Sequence, residues 1–292
     1  MTSDEKTGMG RALARPDFEI MPIKNGLDAA RNLPAGAIAT VTCSPDQGVD
    51  GTVEFAAKLQ AMNLTAVAHL AARRIVDRNH LDRLLTRMDD AGVRHVFVIA
   101  GDRTDTPGAF ASGYELVRTL RDSGAELASI GVPCYPEGHG FIDDATLSQA
   151  LVAKAEHADY MVSQICFNAQ STLDWLRRTR RESGVSLPLY VGIPGVVART
   201  KLINIAMRIG IGDSIRFLRK NAGLIGGLIS GSKYRPDALI RDLAAAFDDR
   251  SLNLAGLHIN TFNQVEATEA WRQEQLKAWH MENAVGDAAG YD

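Results

Sequence analysis

The sequence predicts an α/β fold closed into a (β/α)8 TIM barrel. Short β-rich runs alternate with amphipathic helical patterns eight times, several of the strand runs are apolar throughout, and no Gly-x-Gly-x-x-Gly follows the first of them. A length of 292 residues suits one such barrel, which takes about 250 residues with extensions beyond.

The strands are expected at 17–22, 37–43, 65–71, 95–102, 127–135, 160–167, 187–193 and 254–262. A run such as His95-Val-Phe-Val-Ile is continuous rather than alternating, which suits parallel strands covered on both faces. Between the strands, 53–62 sets Phe55, Ala56, Leu59 and Met62 on one stripe. The segment 79–91 repeats the pattern through Leu81, Leu84, Leu85 and Met88 and stops at Gly92. Helices at 143–157 and 171–183 follow, the second ending at Gly184. Strands seven and eight are far apart, so extra helices are expected between them, with the glycine-rich 223–232 as a flexible connection. Parallel strands joined by right-handed crossovers close without edges, which an open doubly wound sheet does not achieve. The barrel is expected over 16–282, with 1–15 and 283–292 as flexible tails.

Composition narrows the function classes. The chain is 46% hydrophobic and 23% charged with net charge −3, which argues against nucleic acid or an anionic membrane as the main partner. It has neither an uninterrupted apolar span nor an apolar stretch within its polar first fifteen residues. Cys43, Cys134 and Cys166 are odd in number and lack metal-ligand spacing, so reduced thiols and a cytoplasmic location are expected. A Gly-x-Ser-x-Gly elbow and a His-Glu-x-x-His pair are both absent, which argues against hydrolysis and against a metal site.

Barrels place their chemistry at the C-terminal ends of the strands. There the sequence sets Glu19, Thr42, His69, Asp102, Tyr135, Glu137, His139, Gln164, Thr261 and Asn263. Polar side chains inside strands cost free energy unless paired, so one at nearly every strand end marks a functional mouth. Each has a bland reading too: Glu19 could pair with an arginine, Asp102 cap a helix, His69 sit satisfied in the core, Glu137 and His139 shape a loop. His80, His95, His157, His258 and His280 are expected to be structural or solvated. On the residues alone, the reading stops at a barrel enzyme with an interior carboxyl as acid or base.

The same residues carry a resemblance to the methylenetetrahydrofolate reductase family. Phe18-Glu19-Ile20-Met21-Pro22 is similar to its Phe-Glu-Phe-Phe-Pro, Val41-Thr42 to the start of its Val-Thr-Tyr-Gly, and Ala68-His69-Leu70 to its His-Leu. Gly101-Asp102 matches the end of its Leu-Arg-Gly-Asp, and Tyr135-Pro136-Glu137-Gly138-His139 its Tyr-Pro-Glu-x-His. Ser163-Gln164 parallels its Thr-Gln, and His258 with Thr261-Phe262-Asn263 its His-x-x-Thr-Leu-Asn. The fragments are individually weak; their common order at predicted strand ends carries the signal.

The resemblance implies that Glu19 is the general acid that opens the folate's five-membered ring and that Asp102 tunes the pterin. Gln164 would bind the folate, with Thr42, Thr261 and Asn263 as further substrate contacts. It sets His69, Tyr135, Glu137 and His139 on the side of a nicotinamide cofactor, NADH or NADPH, as hydride donor. The departures concern flavin. The family's arginine before Gly-Asp is Ala100, its Tyr-Gly after Val-Thr is Cys43-Ser44, and the arginine after Thr-Leu-Asn is Gln264. These changes argue against bound FAD and resemble the flavin-independent branch found in mycobacteria. The alternatives are an FAD-dependent reductase with a ping-pong cycle and a non-catalytic folate-binding barrel.

Overall fold

The computed structural model describes residues 8–101, 108–202 and 233–279. Parallel strands β1 (Asp17–Ile20), β2 (Ile38–Val41), β3 (Thr65–Ala71), β4 (His95–Ile99), β5 (Ser129–Cys134), β6 (Tyr160–Ser163) and β7 (Leu189–Pro194) follow in chain order. A two-residue antiparallel ladder, β8 (Val197–Ala198) with β9 (Lys233–Tyr234), comes next, and then β10 (Leu254–Asn260). The order β1-β10-β7-β6-β5-β4-β3-β2 closes on itself, so the barrel's seam pairs the first strand with the last. At that seam Asp17 lies beside His258 and Glu19 beside Asn260.

All eight expected barrel strands are present, most of them shorter at the C-terminal end than their apolar runs. Residues beyond Ile20, Val41, Ile99, Cys134 and Ser163 leave the ladder and form the mouth instead. The crossovers include α2 (Gly26–Ala30), α3 (Gly48–Ala61), α4 (Arg78–Asp90), α5 (Gly113–Asp122), α6 (Asp144–Ala155) and α7 (Ala169–Ser183). Asp77, Ser112, Asp143 and Asn168 cap the last four by accepting a backbone N–H, and Gly184 ends α7 at φ 70°. Between β9 and β10 lies the helix α8 (Asp237–Leu243), and α9 (Val265–Ala278) closes the described chain. The segment 223–232 and the tail 283–292 lie outside the described residues. Among the described residues, no helix is long and apolar enough to cross a membrane.

The amino-terminal expectation needs correction. Residues 8–14, read as tail, form the helix α1 (Gly8–Ala14), with Met9, Ala12 and Leu13 buried. Those three fall at i, i+3 and i+4, one face of a helix that a polar flank concealed. Fully buried Arg272 on α9 donates to the Leu13 carbonyl at 2.8 Å and forms a two-pronged pair with Glu269.

Strand alternation divides the apolar residues. Phe18, Ile20, Val41, Leu70 and Val98 face the helices and join the main core, while Val67, Phe97 and Val162 fill the barrel's interior with Tyr160 and Tyr190. The two tyrosine rings meet edge to face at 5.5 Å. Gly131 pairs with Tyr160 across β5 and β6, and a β-carbon there would penetrate the phenol ring. Gly131→Ala is therefore expected to cost about 1–3 kcal/mol of stability by overpacking, read in urea unfolding. Shortening Tyr160 to Leu in the same chain should recover part of that loss.

Candidate active site

β1 turns Asp17 and Glu19 to the barrel interior, and β10 brings His258 beside them. Asp17 Oδ2 lies 2.7 Å from His258 Nδ1, and Glu19 Oε2 lies 3.4 Å from His258 Nε2. Thr40 on β2 donates its hydroxyl to the other Asp17 oxygen at 2.6 Å. The Asp17 and His258 side chains are 7% and 5% exposed, whereas Glu19 keeps 19%. The row runs from a closed interior outward, and Glu19 is its open end.

Burial alone would push the His258 imidazole down, but the charge and hydrogen bond of Asp17, joined by those of Glu19, outweigh it. Together they hold the imidazole up at about 10. His69 on β3 is the opposite case. Burial, only partly countered by the Glu19 charge, pushes it down to about 4. Its ring packs on Phe97 at 4.7 Å, and its Nε2 is buried with no hydrogen-bond partner among the described residues.

Gln164, just beyond β6, is similarly incomplete, since both ends of its side-chain amide are buried without a partner among the described residues. Its backbone is firmly set. The N–H donates to the Cys134 carbonyl at 3.0 Å, and its own carbonyl accepts from Ser163 Oγ and Cys166 Sγ. Ser163 Oγ also accepts the Gly192 N–H at 2.7 Å. A buried amide left unsatisfied costs free energy, so an amide this well positioned points to a ligand that completes it.

Two expected substrate contacts also hold the first strand's backbone. Thr261 Oγ1 donates to the Glu19 carbonyl at 2.6 Å and accepts from the Asn263 N–H. Asn263 accepts the Met21 N–H at 2.9 Å and donates to the Met21 carbonyl at 3.0 Å. These bonds tie both side chains to the backbone of Glu19 and Met21. Phe262 and Asn263 take φ 50° and 58°, a strained conformation for a phenylalanine, tied down here by Lys201 Nζ on the Phe262 carbonyl.

Thr42 is half-buried at the end of β2, its N–H on the Ile20 carbonyl. Glu137 accepts the N–H groups of Phe167 and Asn168 at 2.9 and 3.2 Å, which fixes the loop after Gln164. The rings of Tyr135 and His139 meet edge to face at 5.3 Å, and burial pushes the Tyr135 phenol up to about 12. Tyr135, Glu137 and His139 line a cleft of about 1030 Å³ between α6 and α7, which Glu19, His69 and Gln164 do not line. Asp102 lies outside the described residues. Among the described residues, no cluster of side chains is arranged to hold a metal ion.

Sequence reasoning passed over Asp17 and expected His258 to be structural or solvated, without placing it beside Glu19; it is buried and paired with Asp17. A carboxylate two residues before Glu19 on the same strand face was the available signal. The histidine becomes meaningful only once β10 is paired to β1.

The methylenetetrahydrofolate reductase family model matches residues 29–211, more than half of the chain. The chain belongs to that family. Methylenetetrahydrofolate reductase 2 of Schizosaccharomyces pombe is 26% identical over 153 residues, 47% of this chain and 24% of that protein. The chain thus matches about a quarter of the length of this curated relative. Among solved structures, an uncharacterized protein from Clostridium thermocellum, described as binding two copies of 5-methyl-5,6,7,8-tetrahydrofolic acid, superposes with TM-score 0.60. That match has 11% identity, covers 90% of this chain and 96% of the other, and shows a shared fold. The family match spans His69 and Gln164 and does not reach Glu19 or His258, which the barrel's closure brings together.

The two histidines should shape stability against pH in opposite directions. Unfolded His69 takes a proton below about 6.5 while the folded form resists until about 4, so stability falls with pH across that window. His258 contributes fully below about 6.5 and loses its contribution as pH rises toward about 10. Urea midpoints measured across pH should flatten on the acid side in His69→Gln and on the alkaline side in His258→Gln.

Proposed function

We propose that the chain reduces methylenetetrahydrofolate to methyltetrahydrofolate, taking hydride from NADH or NADPH without a flavin. The observation that carries this reading is the polar set at the mouth. Glu19 stands backed by the Asp17–His258 pair, and the Gln164 amide and His69 Nε2, without partners among the described residues, are buried in the barrel.

An amide offers a donor and an acceptor and cannot ionise, which suits the edge of a pterin. His69, held neutral, can accept or donate one hydrogen bond but is a poor proton source near neutral pH. The acid role therefore falls to Glu19. Its proton goes to the folate nitrogen at the methylene bridge. The carbon–nitrogen bond breaks with its electron pair left on that nitrogen, and an iminium remains on the other. Hydride from the nicotinamide then reduces the iminium carbon to methyl. The protein supplies position and the proton.

The residues fit FAD poorly. Where the resemblance expects arginines, Ala100 and Gln264 stand, and the Gln264 N–H is committed to the Thr261 carbonyl. Ser44 replaces a glycine, and its hydroxyl accepts the Asp46 N–H at 3.3 Å. These side chains add no cation for a flavin's phosphates.

A purified protein without flavin absorbance that oxidises NADH or NADPH in the presence of methylenetetrahydrofolate is the expected result. Flavin bands, or turnover only with added FAD, would return the chain to a ping-pong flavoenzyme. Folate binding without turnover would make it a binding barrel. Glu19→Gln should retain folate affinity within a few-fold and lose at least about 100-fold of turnover, as removal of a general acid does.

A further inference from the structure

We propose that Ser163 positions the side-chain amide of Gln164 for folate, its hydroxyl closing a bulge in β6 that aims that amide. This rests on the reading of Gln164 as a folate contact and adds what holds the contact in place.

Parallel strands exchange evenly spaced backbone bonds, one every second residue. Met161 N–H donates to the Pro188 carbonyl at 2.9 Å, so an unbroken β6 would bring Ile165 to the Gly192 carbonyl. Cys166 is there instead, its N–H on that carbonyl at 2.8 Å. The chain has therefore gained one residue between Ser163 and Cys166, and Gln164 stands within the bulge. On the β5 side the pairing is intact. Cys134 lies beside Ser163, and its carbonyl accepts the Gln164 N–H at 3.0 Å.

The bulge leaves two main-chain groups without their usual partners, and one hydroxyl serves both. Ser163 Oγ accepts the Gly192 N–H at 2.7 Å and donates to the Gln164 carbonyl at 2.9 Å. Cys166 Sγ lies 3.3 Å from the same carbonyl. Gly192 fits because it has no β-carbon, which would come within 2.4 Å of the Ser163 carbonyl oxygen and 2.6 Å of that of Gln164. Ser163 is only 4% exposed, so its bonds are made in a closed interior where unmade ones are costly. Tyr160 and Val162 face the barrel's interior, and alternation points Ser163 the other way. It is a positioning residue that acts through the Gln164 backbone, and its loss should weaken binding rather than chemistry.

The test measures methyltetrahydrofolate affinity by calorimetry, with steady-state reduction alongside, in Ser163→Ala, Ser163→Thr, Gln164→Ala and the double variant Ser163→Ala/Gln164→Ala. Ser163→Ala should raise the folate Kd and KM about tenfold, the scale of one lost hydrogen bond, with kcat within about threefold. Ser163→Thr keeps the hydroxyl and should bind as the wild type does. In the double variant the loss should be no larger than in Gln164→Ala alone, since the hydroxyl acts only through that amide. Additive losses would reduce Ser163 to a general structural part and overturn the inference. Wild-type affinity in a folded Ser163→Ala protein would do so as well. Should Ser163→Ala not fold, Ser163→Cys, close in size but a weaker acceptor, carries the same expectation. A wild-type chain that binds no folate would instead overturn the reading of Gln164 itself.

Discussion

The seam between β1 and β10 is the contact on which the rest of this barrel depends. Closure needs the first and last strands to pair, and side chains as well as the backbone ladder join them here. Asp17 and Glu19 hold His258 between them, Thr261 holds the Glu19 carbonyl, and Asn263 grips both polar groups of Met21. Charge-assisted bonds in a closed interior are stronger than their counterparts in water, and leaving any one unmade would be costly. The closure of the fold and the setting of Glu19 are therefore one arrangement.

Above an apolar floor of Val67, Phe97 and Val162, the interior becomes polar over a short distance. Two histidines there have opposite protonation states for one physical reason. His258 has a carboxylate at each nitrogen, which outweighs its burial. His69 is stacked on Phe97, its Nε2 without a partner among the described residues, and burial leaves it neutral. A charged imidazole and a neutral one thus stand in the same barrel interior. The loop after β6 completes the mouth, since Glu137, Ser163 and Cys166 fix the backbone around Gln164 and leave its amide uncommitted.

Much of this was legible beforehand, in proportion to how local the cause was. The eight barrel strands were readable because strands buried on both faces are apolar along their length. Helices such as α4 and α7 were readable from their stripes and capping residues. Glu19 stood out as a charge between Phe18 and Ile20, and Gln164 as an amide at a strand end. α1 was lost in a polar flank, since seven residues carry too little periodicity to register. Thr261 and Asn263 were found, but their bonds to the Glu19 and Met21 backbone were not, because a side chain that grips backbone looks the same in sequence as one that grips substrate.

By itself, the sequence determined the barrel, the strand ends at which chemistry would sit, and the residue types available there. All of these follow from periodicity, burial preference and turn chemistry within short stretches of chain. Only the tertiary structure decided that His258 meets Asp17 and Glu19, residues some 240 positions away. A protonation state depends on the charges within a few ångströms, and closing the barrel is what brings those charges together.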